Sequence, residues 1–325
     1  MSDFRDIRVL ITGGAGFIGS HLTRALLHAG ARVRVLDNFA TGRRENLDEL
    51  SGEIELVDAD IRDAEACREA CRDVEVVFHQ AALGSVPRSL ADPATTIAVN
   101  VGGTANVFGA ARDAGARRIV YASSSSVYGD EPTLPKREGR EGRPLSPYAL
   151  SKKIDEELAD VFGRCYGLEL IGLRYFNVYG PRQDPEGPYA AVVPRFFRAG
   201  LRGEPSLIHG DGEQSRDFTY VGDAVRANLL AAVAPPAACG SAYNVAGGRR
   251  ITVNEIAREI ARLTSCAAAP QHAPERPGDV RHSLADLSRA TEFLGYLPEV
   301  SIAEGLRKTE AFYREPAQAR EEIRT

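Results

Sequence analysis

Tyr148 and Lys152 stand four residues apart, and a serine run, Ser123 to Ser126, lies upstream at the end of an apolar stretch, Ile119 to Ala122. At that spacing a helix puts the tyrosine and lysine on one face, a turn apart. A phenol has a reference pKa near ~10, so an isolated tyrosine is a poor base at neutral pH. A lysine ammonium one turn away, with a cationic oxidised nicotinamide beside it, favours the phenolate and brings it toward working pH. A serine hydroxyl at the strand end can share the substrate proton and orient it. These are the groups needed to take a proton from an alcohol while a hydride leaves its carbon. Alone, the pair recurs by chance on surface helices, where it means a solvated tyrosine and lysine.

The N-terminus changes those odds. Arg8 to Thr12 reads as a buried strand and leads directly into Gly13-Gly14-Ala15-Gly16-Phe17-Ile18-Gly19, followed by a helical pattern through Leu22, Ala25, Leu26 and Leu27. Glycines at 13, 16 and 19 allow a tight turn, close approach to a pyrophosphate, and close helix–strand packing. The pyrophosphate would rest on the helix N-terminus, where unpaired amides favour an anion. A second apolar run, Ala31 to Leu36, ends in Asp37. A carboxylate there can accept from both adenosine ribose hydroxyls and would repel a 2′-phosphate, which argues for NAD over NADP. The ordinary alternative is an aspartate capping a turn. Arg43 and Arg44 nearby keep NADP open.

The elements needed to position these groups are legible. Strand-like runs near 8–12, 32–36, 54–57, 74–78, 117–122 and 169–174 alternate with helical patterns near 17–29, 63–71, 93–113 and 147–166. That rhythm predicts an α/β fold, a parallel sheet wrapped on both faces by helices. After residue 176 proline and glycine increase, with a strand near 205–209 and helices near 222–233, 252–262 and 301–315. Residues 1–176 read as a dinucleotide-binding domain. Residues 177–325 read as a smaller α/β substrate lobe, some of whose segments return to the main sheet.

Composition excludes other classes. The chain has 325 residues and a formal charge of −5 with both signs interspersed, unlike the basic face of a nucleic-acid binder. No run approaches the ~20 apolar residues of a membrane span, and the charged N-terminus enters a strand at once, so no signal peptide is read. Five cysteines without a Cys-x-x-Cys pair or a histidine cluster suit reduced, structural thiols in a cytoplasmic protein and no metal site.

Taken together, Thr12-Gly-x-x-Gly16-x-x-Gly19, Asp37, the Ser124 region and Tyr148-x-x-x-Lys152 resemble the extended short-chain dehydrogenase/reductase superfamily, over nearly the whole chain. The nearest subfamily resembled is the UDP-hexose 4-epimerases. Supporting segments are His79-Gln80-Ala81-Ala82, Ser124 to Gly129, Ser146-Pro147-Tyr148, Arg174-Tyr175-Phe176-Asn177, Ser215 to Phe218 and Arg276 to Asp279. The resemblance implies a Rossmann-type doubly wound sheet, bound NAD, and a homodimer made by pairing two helices per subunit into a four-helix bundle. Val99, Val107, Phe108, Leu158 and Phe162 are the apolar positions beyond one helix face that suggest the pairing.

By the same resemblance Tyr148 is the base, Lys152 holds the nicotinamide ribose and Ser124 assists. The cofactor site takes Gly13, Gly16, Phe17, Ile18, Gly19, Asp37 and Asn38, with Asp60 and Ile61 flanking the adenine. Gln80, Ala81, Ala82, Asn100 and Tyr175 complete it. The sugar-nucleotide site takes Gly84, Ser85, Ser124, Ser125, Ser126, Tyr148, Asn177, Ala191, Val192, His209 and Ser283, with Asp279 beside Arg276. Arg216 and Arg276 can grip a diphosphate with bidentate forks, against the ordinary alternative of surface ion pairs.

Related enzymes share oxidation at C4 and then diverge. The 4,6-dehydratases typically place Asp and Glu after the triad Ser/Thr, and the glucuronate decarboxylases a Glu. Here those positions are Ser125 and Ser126, which favours return of the hydride and epimerisation. Epimerases confined to glucose and galactose commonly carry Lys-Ala in place of Gly84-Ser85 and a tyrosine aligned with Ser283. The small residues resemble UDP-N-acetylglucosamine 4-epimerases instead. A UDP-glucuronate 4-epimerase, a nucleotide-sugar dehydratase or decarboxylase, and a non-catalytic NAD-sensing module stand as alternatives.

Overall fold

The computed structural model describes residues 4–186, 190–275 and 281–314. The aliphatic runs form β1 (Arg8–Thr12), β2 (Arg32–Asp37), β3 (Ile54–Asp58), β4 (Val76–His79), β5 (Arg118–Ser124) and β6 (Glu169–Tyr175). A seventh strand, Ser241–Val245, pairs with β6, and the sheet runs Ser241–Val245, β6, β5, β4, β1, β2, β3 with every pairing parallel.

The helices are α1 (Phe17–His28), α2 (Ala64–Cys71), α3 (Val86–Ala91), α4 (Pro93–Ile97), α5 (Gly103–Asp113) and α6 (Pro147–Tyr166). They continue with α7 (Val192–Leu201), α8 (Val221–Val233), α9 (Val253–Thr264), α10 (Ser288–Leu294) and α11 (Ile302–Arg314). Alternation along β1 sends Val9 and Ile11 to one face, into a core with Leu22 and Leu26 of α1 and Ala227 and Ala231 of α8. Leu10 points the other way, into a core with Cys67 of α2, Phe108 of α5 and Ala159 of α6. Both faces are covered, as a parallel sheet requires. The fold is the doubly wound α/β sheet of Rossmann type.

The second half of the chain supplies both α8 and the seventh strand to this sheet, and a separate core of its own. In that core Val193, Phe196 and Phe197 of α7 meet Ile256 and Ile260 of α9 and Leu306 of α11. Helix α7 was not read from the sequence, because its apolar positions follow a glycine- and proline-rich stretch and Pro194 lies within it. In the first turn a proline loses no hydrogen bond, so the helix forms. The predicted helix over 93–113 is interrupted by a π-helical turn, Ala98–Gly102, a device often found beside functional sites.

Val107 and Phe108 are fully buried, and Val99, Leu158 and Phe162 pack beside them against α2 and the sheet. Val107 and Phe108 are therefore core and not a surface for pairing with a second chain, while Val99, Leu158 and Phe162 are half-buried. All five cysteines are free. Burial pushes the Cys67 thiol up to about 11 and Cys71 up to about 12, which keeps both inert. Among the described residues no helix is long and apolar enough to cross a membrane, and no group of three His, Cys, Asp or Glu is placed to hold a metal ion.

One buried cation joins the halves of the sheet layer. Arg118 on β5 is 2 % exposed; its Nε donates to Glu169 on β6 at 2.9 Å. Its Nη1 donates to the carbonyls of Ala231, Ala232 and Ala234 at the end of α8, where a cation also suits the helix dipole. Arg118→Ala should lower unfolding free energy by ~3 kcal/mol, the scale for breaking a buried pair. Urea denaturation measures it, and a loss below ~1 kcal/mol would show that the carbonyls find water instead.

Candidate active site

The loop between β1 and α1 is shaped by two close approaches. Gly13 has φ +70°, and a Cβ there would lie 2.7 Å from the backbone of Ala81. A Cβ on Gly19 would lie 2.1 Å from the Gly13 carbonyl. The N-cap of α1 is Gly16, which offers no side chain to its first amides. Those amides face a cavity of about 750 Å³ lined by Gly13, Gly16, Phe17, Ile18 and Gly19, a ready cradle for a pyrophosphate.

At the far end of that cavity, β2 delivers Asp37. Its carboxylate accepts from the Ala15 amide at 2.9 Å and the Phe39 amide at 2.8 Å, which aims it while leaving lone pairs for ribose hydroxyls. Burial raises the Asp37 carboxyl above its ordinary value, opposed by those two amides. Asn38, Asp60 and Ile61 line the same end, and Asn38 Nδ2 donates to Asp60 at 2.7 Å. The nearby arginines are engaged with carboxylates: Arg43 with Asp184, Arg44 with Asp58, Arg62 with Asp60. Asp60 is held down to about 2, chiefly by its bond to Arg62.

The opposite end carries the proton-transfer groups. β5 runs out at Ser124, whose Oγ accepts from the Ser126 amide at 3.2 Å and turns the chain into a 3-10 turn, Ser125–Tyr128. Ser146 caps α6 by accepting from Ala149 at 3.1 Å, with Pro147 at the first helical position. The cap fixes where Tyr148 and Lys152 begin to face inward. Lys152 Nζ, nearly buried, donates to the Ala122 carbonyl at 3.0 Å and to Asp155 at 3.1 Å. Ser124, Ser125, Ser126, Tyr148, Lys152, Gln80, Ala81, Ala82 and Tyr175 all line the cavity that the glycine loop closes. Tyr175 is itself fixed, donating to Gln80 at 3.1 Å and accepting from Asn228 of α8 at 2.7 Å.

Asn100 was expected to line the cofactor, and the structure places it beneath the wall instead. It is fully buried in the π-helical turn; its Oδ1 accepts from the Leu83 amide at 2.8 Å and its Nδ2 donates to Ser151 at 3.0 Å. It therefore holds the 81–84 loop that overlies the cavity.

A second cavity of about 400 Å³ adjoins the first, sharing Gly84, Val86, Asn177, Val178 and Gln183 with it. Ser85, Ala191, Val192, His209 and Arg216 line it as well. Arg216 Nη1 donates to the carbonyls of Ser215 and Arg281 at 3.1 and 3.0 Å, which orients the guanidinium.

The family profile described as the NAD dependent epimerase/dehydratase family matches residues 9–246. The chain belongs to that family. It is 42 % identical over 316 residues to the UDP-glucose 4-epimerase of Mycolicibacterium smegmatis, covering 96 % of this chain and 100 % of the other. It is 36 % identical over 325 residues to the UDP-N-acetyl-alpha-D-glucosaminuronate decarboxylase of Bacillus cytotoxicus, covering 95 % and 98 %. Its fold matches the UDP-N-acetylglucosamine 4-epimerase of Methanobrevibacter ruminantium in complex with UDP-N-acetylmuramic acid, with a TM-score of 0.90 and 38 % identity over 95 % and 98 % of the two chains. NAD is the family's cofactor, and the glycine cradle and Asp37 fit it.

Three sequence assignments in this family member need restating. Arg276 and Asp279 lie outside the described residues. Ser283 lines neither cavity: it is 8 % exposed, 3.5 Å from Asn177 Nδ2 and 3.4 Å from the Asp217 amide. Its chain runs alongside Ser215, and its hydroxyl is turned to Asn177 and the Asp217 backbone. Sequence reasoning also missed Gln183, which lines both cavities and donates to the Val178 carbonyl at 3.1 Å while its Oε1 has no partner. The Gly-Pro-Arg-Gln-Asp-Pro segment read only as a loop. Arg195 was missed together with its helix α7.

Gly13→Ala should cost the protein its bound NAD, since the new methyl collides with backbone rather than a side chain. Asp37→Ala should leave the fold intact and speed NAD loss on dialysis. Ultraviolet spectra of the released nucleotide measure both, and full NAD content in the Asp37 variant would remove the ribose contact.

Proposed function

We propose that the chain is a UDP-hexose 4-epimerase that interconverts UDP-GlcNAc and UDP-GalNAc, with UDP-Glc and UDP-Gal as further substrates. The observation that carries this reading is the cavity wall from Ala122 to Lys152. It presents Ser124, Ser125, Ser126 and Tyr148 beside a fixed lysine, and no carboxylate that could drive an elimination.

Tyr148 takes the O4 proton as C4 is oxidised. NAD, when bound, accepts the C4 hydride and gives it back. Ser124 hydrogen-bonds O4 and holds it toward Tyr148, while the Ala122 carbonyl accepts from the Lys152 ammonium. Arg216 holds the diphosphate in the second cavity, so the 4-keto sugar turns about that anchor and presents its other face. Tyr148 then returns the proton to O4 and C4 is inverted. Small residues suit the turning sugar: Gly84 lines both cavities, and a Cβ there would meet nothing within 4 Å. Ser85, Asn177 and Ala191 leave similar room for a 2-N-acetyl group.

The test is purified protein given UDP-GlcNAc, UDP-Glc and UDP-glucuronate separately, with products resolved by chromatography. UDP-GalNAc should form fastest. Tyr148→Phe should lower turnover by ~100- to 10,000-fold with the fold retained, the range for losing a general acid–base group. Formation of a 4-keto-6-deoxy or decarboxylated product would overturn the assignment, and preference for UDP-glucuronate would move it to the uronate epimerases.

A homodimer is part of the same reading. Leu150, Ile154 and Val161 follow one another along a single stripe of α6, and Leu150 and Val161 are 43 % and 42 % exposed. Leu145 ahead of α6 and Leu90 on α3 are also exposed. Burying this stripe against its copy gives the four-helix bundle. Light scattering should return twice the chain mass at micromolar protein, and Leu150→Glu with Val161→Glu should halve it. A parent protein that is already monomeric would refute the pairing.

A further inference from the structure

Helix α6 carries a third inward-facing ionisable group that the proton-transfer scheme does not use. Tyr148, Lys152 and Asp155 fall at i, i+4 and i+7, on one stripe. The Asp155 side chain is 1 % exposed and that of Lys152 is 3 % exposed, with Oδ2 and Nζ 3.1 Å apart. A carboxylate is costly to bury, and this one stands one turn behind the group expected to hold the ribose.

The surroundings leave Lys152 as its counter-charge. On the same helix Glu156 is taken up by Arg174 and Ser123. On β4, His79 is pushed down to about 3 by burial and is neutral, bonded to Thr12 and to Thr104. On β5, burial raises the Tyr121 phenol well above its ordinary value, so it is neutral too. Burial raises the Asp155 carboxyl to about 6, with Lys152 pulling it down, so it is an anion where Tyr148 must act as a base.

We propose that Asp155 is a positioning residue for the proton transfer: it aims the Lys152 ammonium and offsets part of the charge that the lysine presents to Tyr148. An ammonium has three donors. Two are committed to the Ala122 carbonyl and Asp155, so the remaining one has a set direction. An anion behind the lysine also weakens the field that favours the phenolate. The tyrosine must give its proton back in the second half of the reaction, so a phenolate held too firmly is as unhelpful as one never formed. This rests on the proton-transfer role given to Tyr148 above, and not on the identity of the sugar.

The test is a pH titration of NAD-loaded protein by near-ultraviolet phenolate absorbance. Subtracting the same titration of the Tyr148→Phe variant isolates Tyr148. Asp155→Asn keeps an acceptor and removes the charge, so the Tyr148 transition should move about one pH unit lower, with NAD retained as in the parent. Asp155→Leu should also move it lower, and by freeing the ammonium should release NAD faster and lower turnover about tenfold. It serves as the charge test if the asparagine variant does not fold. Thermal stability should fall in both, since a buried ammonium loses its partner, and is not the readout. A transition that stays in place or moves higher in the folded variants overturns the assignment. A downward shift in a protein that turns over no UDP-sugar supports Asp155 and overturns the epimerase reading alone.

Discussion

The structure depends on the close passage of Gly13 over Ala81. β1 has β2 on one side and β4 on the other, so the chain leaves β1 in one direction and the sheet is extended from it in both. The loops following β1 and β4 therefore part above the sheet, and a crevice opens between them. Its depth is set by how near the two backbones come, and a single Cβ at residue 13 would push them apart. The other parts of the site are built around that crevice. Asp37 closes one end, the β5 serines and α6 close the other, and Asn100 ties down the β4 loop from below.

Helix α6 has a different constraint. Its inward stripe is polar where most sheet-covering helices are aliphatic, with Tyr148, Ser151, Lys152 and Asp155 preceding Ala159. Buried polar groups must find partners within the protein. Here the partners are strand ends and neighbouring loops: the Ala122 carbonyl for Lys152, and Asn100 for Ser151. The bonds that satisfy the helix also fix it against the sheet, so catalytic alignment and polar satisfaction are one requirement.

The sheet was legible because the central strands β1, β4, β5 and β6 are near-continuous apolar runs, while β2 and the edge strand β3 show as apolar residues alternating with charged ones; all six lie close to where they were read. The glycine loop, Asp37 and the Tyr148–Lys152 pair were legible for a related reason: each is a local pattern within one or two elements. What was not legible was long-range. Ser283 sits behind Asn177, and Val107 and Phe108 turn into the core; neither fact follows from spacing, because each depends on which neighbour covers the residue. Helix α7 was hidden by Pro194, and with it Arg195. Gln183 had no signal at all, since its place at the meeting of two cavities comes from a loop path rather than a repeat.

The two cavities differ in what holds them open. The cofactor side is walled by backbone, at Gly13, Gly16 and Gly19, and by short, locally bonded side chains, so its shape is rigid and suited to one resident nucleotide. The second is walled by side chains from α7, from the short strands Leu207–His209 and Ser215–Asp217, and from Val253 at the start of α9. Where they meet, Gly84 contributes no side chain and Gln183 offers an unpaired carbonyl oxygen. The proposed epimerisation, which oxidises and reduces one carbon from opposite faces, needs both properties at once. The nucleotide that carries the hydride must not move, and the sugar must be held by its diphosphate while its ring is free to turn. A rigid backbone cradle joined through small residues to a side-chain-lined pocket provides that division.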